Sequence, residues 1–146
     1  MGLRPKSKGN NPDIIYAVIM RARFNRLKQT PEFKKWKRTQ YFIQGEKCAW
    51  CSELMPRDFK DVHVDHAMPL FHGGRNEYDN LVLAHRKCNM EKWIRIDAVP
   101  QWILNRKRKY EMHLLRQQQR IIYNKVTEQI LQEEQEELGA WMKDWL

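Results

Sequence analysis

Apolar residues recur along this chain first with a helical period, then in alternation, then with a helical period again. Residues 1–9 form a basic lead with Pro and Gly that reads as disordered. Asn11 before Pro12 is a helix start, with Pro at the first helical position and Asp13 in the first turn. Ile15, Val18, Ile19 and Ala22 make that helix's apolar stripe, while Arg21, Arg23, Arg26 and Lys28 fall mainly off it. Thr30-Pro31-Glu32 opens a second short helix carrying Phe33, Trp36 and Ile43, and Gly45 ends it.

From residue 46 to 92 the helical pattern disappears. Val62-His63-Val64 alternates as a half-buried strand does, which puts His63 and Asp65 on one side and Val62, Val64 and His66 on the other. Pro69, Gly73-Gly74 and Asn76 mark a loop, and Leu81-Val82-Leu83 is a second strand. Cys88 to Trp93 reads as the opening of a helix. Pro100 then begins a long helix with Leu115, Ile122, Val126 and Ile130 on one face and Gly139 as its cap. Trp141 and Trp145 follow on an apolar tail suited to folding back.

Charge changes the picture. The net charge is +9, but residues 1–47 carry +9, 48–97 carry −1, 98–125 carry +6 and 126–146 carry −5. A near-neutral centre between basic arms looks like a reactive module held on a polyanion by its flanks. Solubility alone does not require that segregation. The three cysteines, with no secretory h-region and no stretch of membrane-spanning length, point to a reducing intracellular setting. In that setting paired cysteines are more often metal ligands than disulfides.

Two knuckles stand out: Cys48-x-x-Cys51 and His85-x-x-Cys88. The first alone fits a redox pair as well as a metal. With the second at a finger-like distance, a Cys3His structural zinc becomes the better reading, one that would hold together a loop-rich centre with a thin core. His85 is its weakest member, since it also suits a phosphate contact. Between the knuckles lie Asp65-His66 and Asn80, and Asn89 follows the last cysteine. A carboxylate such as Asp65 suits Mg²⁺ or Mn²⁺, and a neutral imidazole such as His66 can take a proton from water. Asn89 can offer an amide oxygen to the same cation, and Asn80 can orient His66 or its loop. Taken singly, each of these is as well explained as a surface pair, a turn or a helix cap.

Their joint order resembles a family. Cys48-x-x-Cys51, Val64-Asp65-His66-x-x-Pro69, Gly73-Gly74, Asn80-Leu81 and Cys88-Asn89-x-x-Lys92 are similar to the HNH nucleases of the ββα-metal fold, especially the small zinc-stabilised ones common in phages and mobile elements. The resemblance covers roughly residues 46–96. It implies an α+β fold: a ββα-metal HNH core with structural zinc, flanked by N-terminal helices and a long C-terminal helix. The corresponding divisions are a basic arm over 1–45, a nuclease core over 46–97 and a helical extension over 98–146. It also implies that Asp65 and Asn89 hold one catalytic Mg²⁺ or Mn²⁺, that His66 is the general base, and that Asn80 is the middle Asn. Cys48, Cys51, His85 and Cys88 would hold the zinc. The expected reaction is hydrolysis of DNA, leaving 5′-phosphate and 3′-hydroxyl ends, with no membrane partner. His63, Arg75, Arg86 and Lys92 are candidate phosphate contacts. Two departures are His85, where these proteins usually have a third Cys, and Asn89 in place of a final His. The rival readings are a zinc-stabilised module that binds nucleic acid without cutting it, and a scaffold built on the long helix.

Overall fold

The computed structural model describes residues 12–93 and 95–145, so the basic lead and the Asn11 helix start lie outside the described residues. The order of elements is α1 (Pro12–Leu27), α2 (Pro31–Ile43), β1 (Val62–His66), β2 (Leu81–His85), α3 (Arg86–Lys92) and α4 (Gln101–Trp145). Single 3-10 turns at Leu70–His72 and Tyr78–Asn80 shape the loop between the strands. The described chain divides into two compact units, one ending at Arg106 and the other beginning at Lys107.

Local chemistry explains the element ends. The Thr30 hydroxyl caps α2 by accepting from the Phe33 amide at 3.2 Å, with Pro31 in the first turn. Past Ile43 the chain turns at Gly45, which sits at φ +63°, a region that favours glycine. Between the strands, a Cβ on Gly74 would stand 1.8 Å from the Met68 carbonyl oxygen. That contact is impossible for any side chain, so the Gly73-Gly74 turn must close on itself without one.

The strands form a two-stranded antiparallel sheet in which Val62 faces His85, Asp65 faces Val82 and His66 faces Leu81. Gln44, fully buried, accepts from the Leu83 amide (2.8 Å) and donates to the Leu83 carbonyl (2.9 Å). The Ala49 amide donates to that same carbonyl at 3.0 Å. These bonds satisfy the outer edge of β2, which would otherwise be left bare in a buried setting.

Three small clusters make the core. Tyr41, Cys48, Met55, Val62, Leu83 and Ala84 form one, and Phe24, Phe33 and Leu81 a second. Ile103 of α4 closes the third over Ala49 and Val82. Arg106 Nε also donates to the Ile43 carbonyl, so the first turns of α4 belong with the sheet. Val64 packs on the first two clusters, in keeping with the strand alternation.

Three expectations are corrected. In α1, Ile15, Val18 and Ile19 are about half exposed or more, whereas Phe24 is buried and Ala17, Met20 and Leu27 are partly covered. The inward face is thus rotated from the one the hydrophobic spacing suggests, because it docks on the Gly73-Gly74 turn and on His66. In α3 the helix begins at Arg86, two residues earlier than expected, and ends at Lys92. Gly139 does not cap α4: the helix runs through it to Trp145, with Trp141 and Trp145 on that helix at a ring separation of 5.5 Å. An isolated Gly is tolerated within a helix at about 1 kcal/mol relative to Ala, too little to end one. Leu115, Ile122, Val126 and Ile130 do share a face of α4 and are exposed. No helix among the described residues is long and apolar enough to cross a membrane.

Candidate metal centre and active-site cleft

The first knuckle hangs between α2 and β1, and the second sits where β2 runs into α3. The sheet therefore brings residues far apart in sequence to one point. The Sγ atoms of Cys48, Cys51 and Cys88 and a ring nitrogen of His85 all lie within 4.8 Å of one another. A tetrahedral zinc with Zn–S bonds of about 2.3 Å needs ligand–ligand edges of roughly 3.8 Å. The Nδ1 of His85 is 3.3 Å from Cys51 Sγ and 3.9 Å from Cys88 Sγ. Its Nε2 lies 3.0 Å from the Leu54 carbonyl. A carbonyl only accepts, so Nε2 carries the proton and Nδ1 turns its lone pair to the sulfurs, the arrangement a metal-ligating His needs.

The thiols are tuned to match. Burial pushes Cys48 up, but amide N–H groups of Cys51, His85 and Trp50 outweigh it and lower the thiol. The amides of Trp50 and His85 each lie 3.4 Å from Cys48 Sγ. Burial and the neighbouring Cys48 push Cys88 up to about 12. Sulfurs crowded this closely ionise together only when a cation offsets their charge. The donor set fits a closed structural zinc site.

The second site opens beside it. A cleft of about 300 Å³ is lined by Asp65, His66 and Asn89, with Arg21 of α1 and Phe71 and Trp93 on its rim. The acid, the imidazole and the amide thus meet at one place. Asp65 is 7% exposed, and its Oδ2 accepts from Trp50 Nε1 at 2.8 Å and pairs with Lys92 Nζ at 3.5 Å. Burial holds its carboxyl above the ordinary range, against the opposing pull of Lys92 and Trp50. His66 is also buried, and its ring meets Phe24 edge-on at 4.6 Å. Burial is the main cause that lowers it to about 4, opposed by Asn76 and helped by Arg21, Lys92 and Lys28, so it is neutral near pH 7. Its Nε2 lies 2.8 Å from Asn76 Oδ1.

The other expected residues fall in different places. Asn89, on α3, has its amide nitrogen 3.3 Å from His63 Nδ1. His63 is therefore a partner of Asn89, half-buried under α3. Asn80 does not touch His66 in any contact observed. Its side chain accepts from the Met68 amide (2.8 Å) and donates to the Met68 and Arg75 carbonyls (both 3.0 Å), so it braces the loop that follows His66. Arg75 is exposed and pairs with Glu77 at 3.4 Å, and Arg86 is exposed at the start of α3. Lys92, expected at a phosphate, is 1% exposed, and its ammonium also donates to the His66 carbonyl at 3.0 Å. A cation held in this way supports Asp65 from inside and does not meet solvent.

Sequence reasoning missed Trp50, Asn76 and Arg21. Trp50 had a signal, as the one aromatic inside a knuckle. Asn76 looked like any turn residue. Arg21 lay in a helix whose orientation only packing reveals.

Residues 48–93 match the protein family described as HNH endonuclease. The match spans both knuckles, both strands and α3, and leaves α1, α2 and α4 outside it. No curated protein matches the chain. The centre of the chain is an HNH domain with a strand–strand–helix core: a nuclease-type or nucleic-acid-binding module beside a Cys3His group that suits zinc.

Proposed function

We propose that this chain, with its HNH domain as premise, is a metal-dependent endonuclease that hydrolyses DNA phosphodiester bonds. The observation that carries the reading is the convergence of Asp65, His66 and Asn89 on one cleft beside the Cys3His cluster. A domain that only binds DNA has no use for a carboxylate facing phosphate. Asp65 and Asn89 are the residues to hold Mg²⁺ or Mn²⁺ through oxygen. When bound, the ion supplies charge stabilisation at the scissile phosphate and the departing 3′ oxygen. His66, neutral and held against Phe24, takes a proton from the attacking water. Asn80 keeps the following loop in place, and the four knuckle residues, holding zinc, anchor β2 and α3 so that Asn89 stays opposite Asp65. Arg21, Arg75 and Arg86 offer positive charge to the DNA backbone, with affinity that falls as salt rises. The products carry 5′-phosphate and 3′-hydroxyl ends. The domain divisions proposed with this reading are a basic arm over 1–45, the core over 46–97 and a helical extension over 98–146.

A second reading, a zinc-held DNA-binding module without hydrolysis, is favoured by one observation: Asp65 Oδ2 is already engaged by Trp50 and Lys92. Plasmid incubated with the full chain and Mg²⁺ or Mn²⁺ separates the two. Cutting that is lost without the added ion and lost in His66→Ala, with zinc content and DNA binding unchanged, supports the enzyme. Binding with no cutting under either ion supports the module. Wild-type cutting rates in His66→Ala would remove the imidazole from its role.

A further inference from the structure

The loop between the strands carries a side chain that the hydrolytic reading does not use. Asn76 lies between β1 and α1 and makes two bonds. Its Nδ2 donates to the Met20 carbonyl of α1 at 2.8 Å, and its Oδ1 meets His66 Nε2 at 2.8 Å. The first bond decides the second. A main-chain carbonyl has no proton to give, so the amide must present its NH₂ group to Met20 and its oxygen to His66. An oxygen facing Nε2 then requires the imidazole proton to sit on Nε2, which leaves the lone pair on Nδ1.

Two further contacts hold α1 in the position this needs. Tyr16 Oη donates to the Gly74 carbonyl at 2.9 Å, two residues before Asn76. Phe24 meets the His66 ring at 4.6 Å in an edge-to-face arrangement, which restrains the ring plane. Met20, Tyr16 and Phe24 all lie outside the residues that match the HNH family.

We propose that Asn76, anchored on the Met20 carbonyl, is a positioning residue: it holds His66 in the Nε2-protonated tautomer, so that Nδ1 is the atom that accepts the proton from water. This rests on the hydrolytic role of His66 for its consequence, but not for its geometry. The flanking helix α1 is thereby part of the active site and more than an arm that adds affinity. An imidazole with the proton on the wrong nitrogen, or with its ring free to turn, presents no base to the attacking water, and misplacement of this size lowers a rate on the order of 10²-fold.

The test uses the full, zinc-loaded chain with ¹⁵N-labelled histidine. Wild type is expected to show one exchange-protected imidazole proton on His66, bonded to Nε2. Asn76→Ala is expected to lose that protection and to lower kcat on the order of 10²-fold with KM little changed. Asn76→Asp separates positioning from a loop-fastening role. A carboxylate still accepts from Nε2 but forfeits the bond to Met20 that anchors the residue on α1, so the protected proton is expected to return and kcat to recover only in part, to a level between Asn76→Ala and wild type. If Asn76→Asp is as impaired as Asn76→Ala in both readouts, Asn76 only fastens the loop and the proposal is wrong. A wild-type proton found on Nδ1 overturns it as well. If wild type cuts no DNA, the endonuclease reading fails, while the location of the proton still decides the role of Asn76.

Discussion

Replacing Lys92 with Met tests how far the buried pair governs this site. The substitution keeps the length and apolar stem of the side chain, so packing changes little. It removes the ammonium 3.5 Å from Asp65 Oδ2 and the bond to the His66 carbonyl. Breaking one partner of a buried ion pair costs about 3–5 kcal/mol, because the remaining charge is left uncompensated. Asp65 has an escape, since it can take up a proton. From its ordinary value of 3.8, protonation at pH 7 costs about 4 kcal/mol, and at pH 5 about 1.5 kcal/mol, at 1.36 kcal/mol per unit. The orphaned His66 carbonyl adds about 1 kcal/mol at either pH. The expected losses are therefore about 4–5 kcal/mol at pH 7 and about 2–3 kcal/mol at pH 5, measured by urea unfolding of the zinc-loaded chain without added Mg²⁺. The sign is fixed by Asp65: a carboxyl raised on folding favours the folded state below its unfolded value and loses that contribution as pH rises. Asp65→Asn in the Lys92→Met background should recover most of the pH 7 loss. A loss below about 1 kcal/mol at pH 7, or one equal at the two pH values, would refute the reasoning.

Three other outcomes are expected. Cys88→Ser should release zinc and cost the central unit its cooperative unfolding, as should a strong chelator, because a structural zinc site contributes folding free energy directly, with apparent binding of about 10–16 kcal/mol; zinc content by metal analysis and the unfolding transition by circular dichroism check it. His66, lowered on folding from 6.5 to about 4, contributes stability that is present above pH 6.5 and lost as pH falls toward 4. That loss is on the order of 3 kcal/mol, and it should shrink in His66→Phe when unfolding is followed against pH. Gly74→Ala should destabilise the chain by more than about 2 kcal/mol, since its Cβ would meet the Met68 carbonyl oxygen at 1.8 Å and the loop would have to open; a thermal shift of no more than a few degrees would show that the turn yields easily.

Much of the site was legible because its signals are local. Two-residue gaps between ligands let paired side chains turn back on one ion whatever surrounds them, so Cys48, Cys51, His85 and Cys88 were readable as one set. Alternation placed Val62-His63-Val64 in a strand, the apolar run Leu81-Val82-Leu83 marked a second whose span extends to His85, and Thr30-Pro31 marked the start of α2. The errors came where local rules leave several answers open. The exposed Ile15, Val18 and Ile19 are as apolar as the residues that face inward, and only docking on the Gly73-Gly74 turn and His66 selects Phe24, Leu27 and Met20. Gly139 obeys a capping statistic that a continuing helix overrides. Asn80 and Asn76 are both turn asparagines by sequence, yet one braces a loop and the other touches the imidazole.

Sequence alone determined the ligand inventory, the element types at the centre and the charge layout, because these depend on side-chain chemistry and on the 2.0 and 3.6 residue periods of the backbone. Tertiary structure alone decided which face of α1 turns inward, that Lys92 is buried beneath Asp65, and that Trp50 and Asn76 complete the surroundings of the acid and the imidazole. Those outcomes depend on hydrogen bonds between residues distant along the chain, whose partners are chosen by how the loops close and by the requirement that every buried polar group be satisfied.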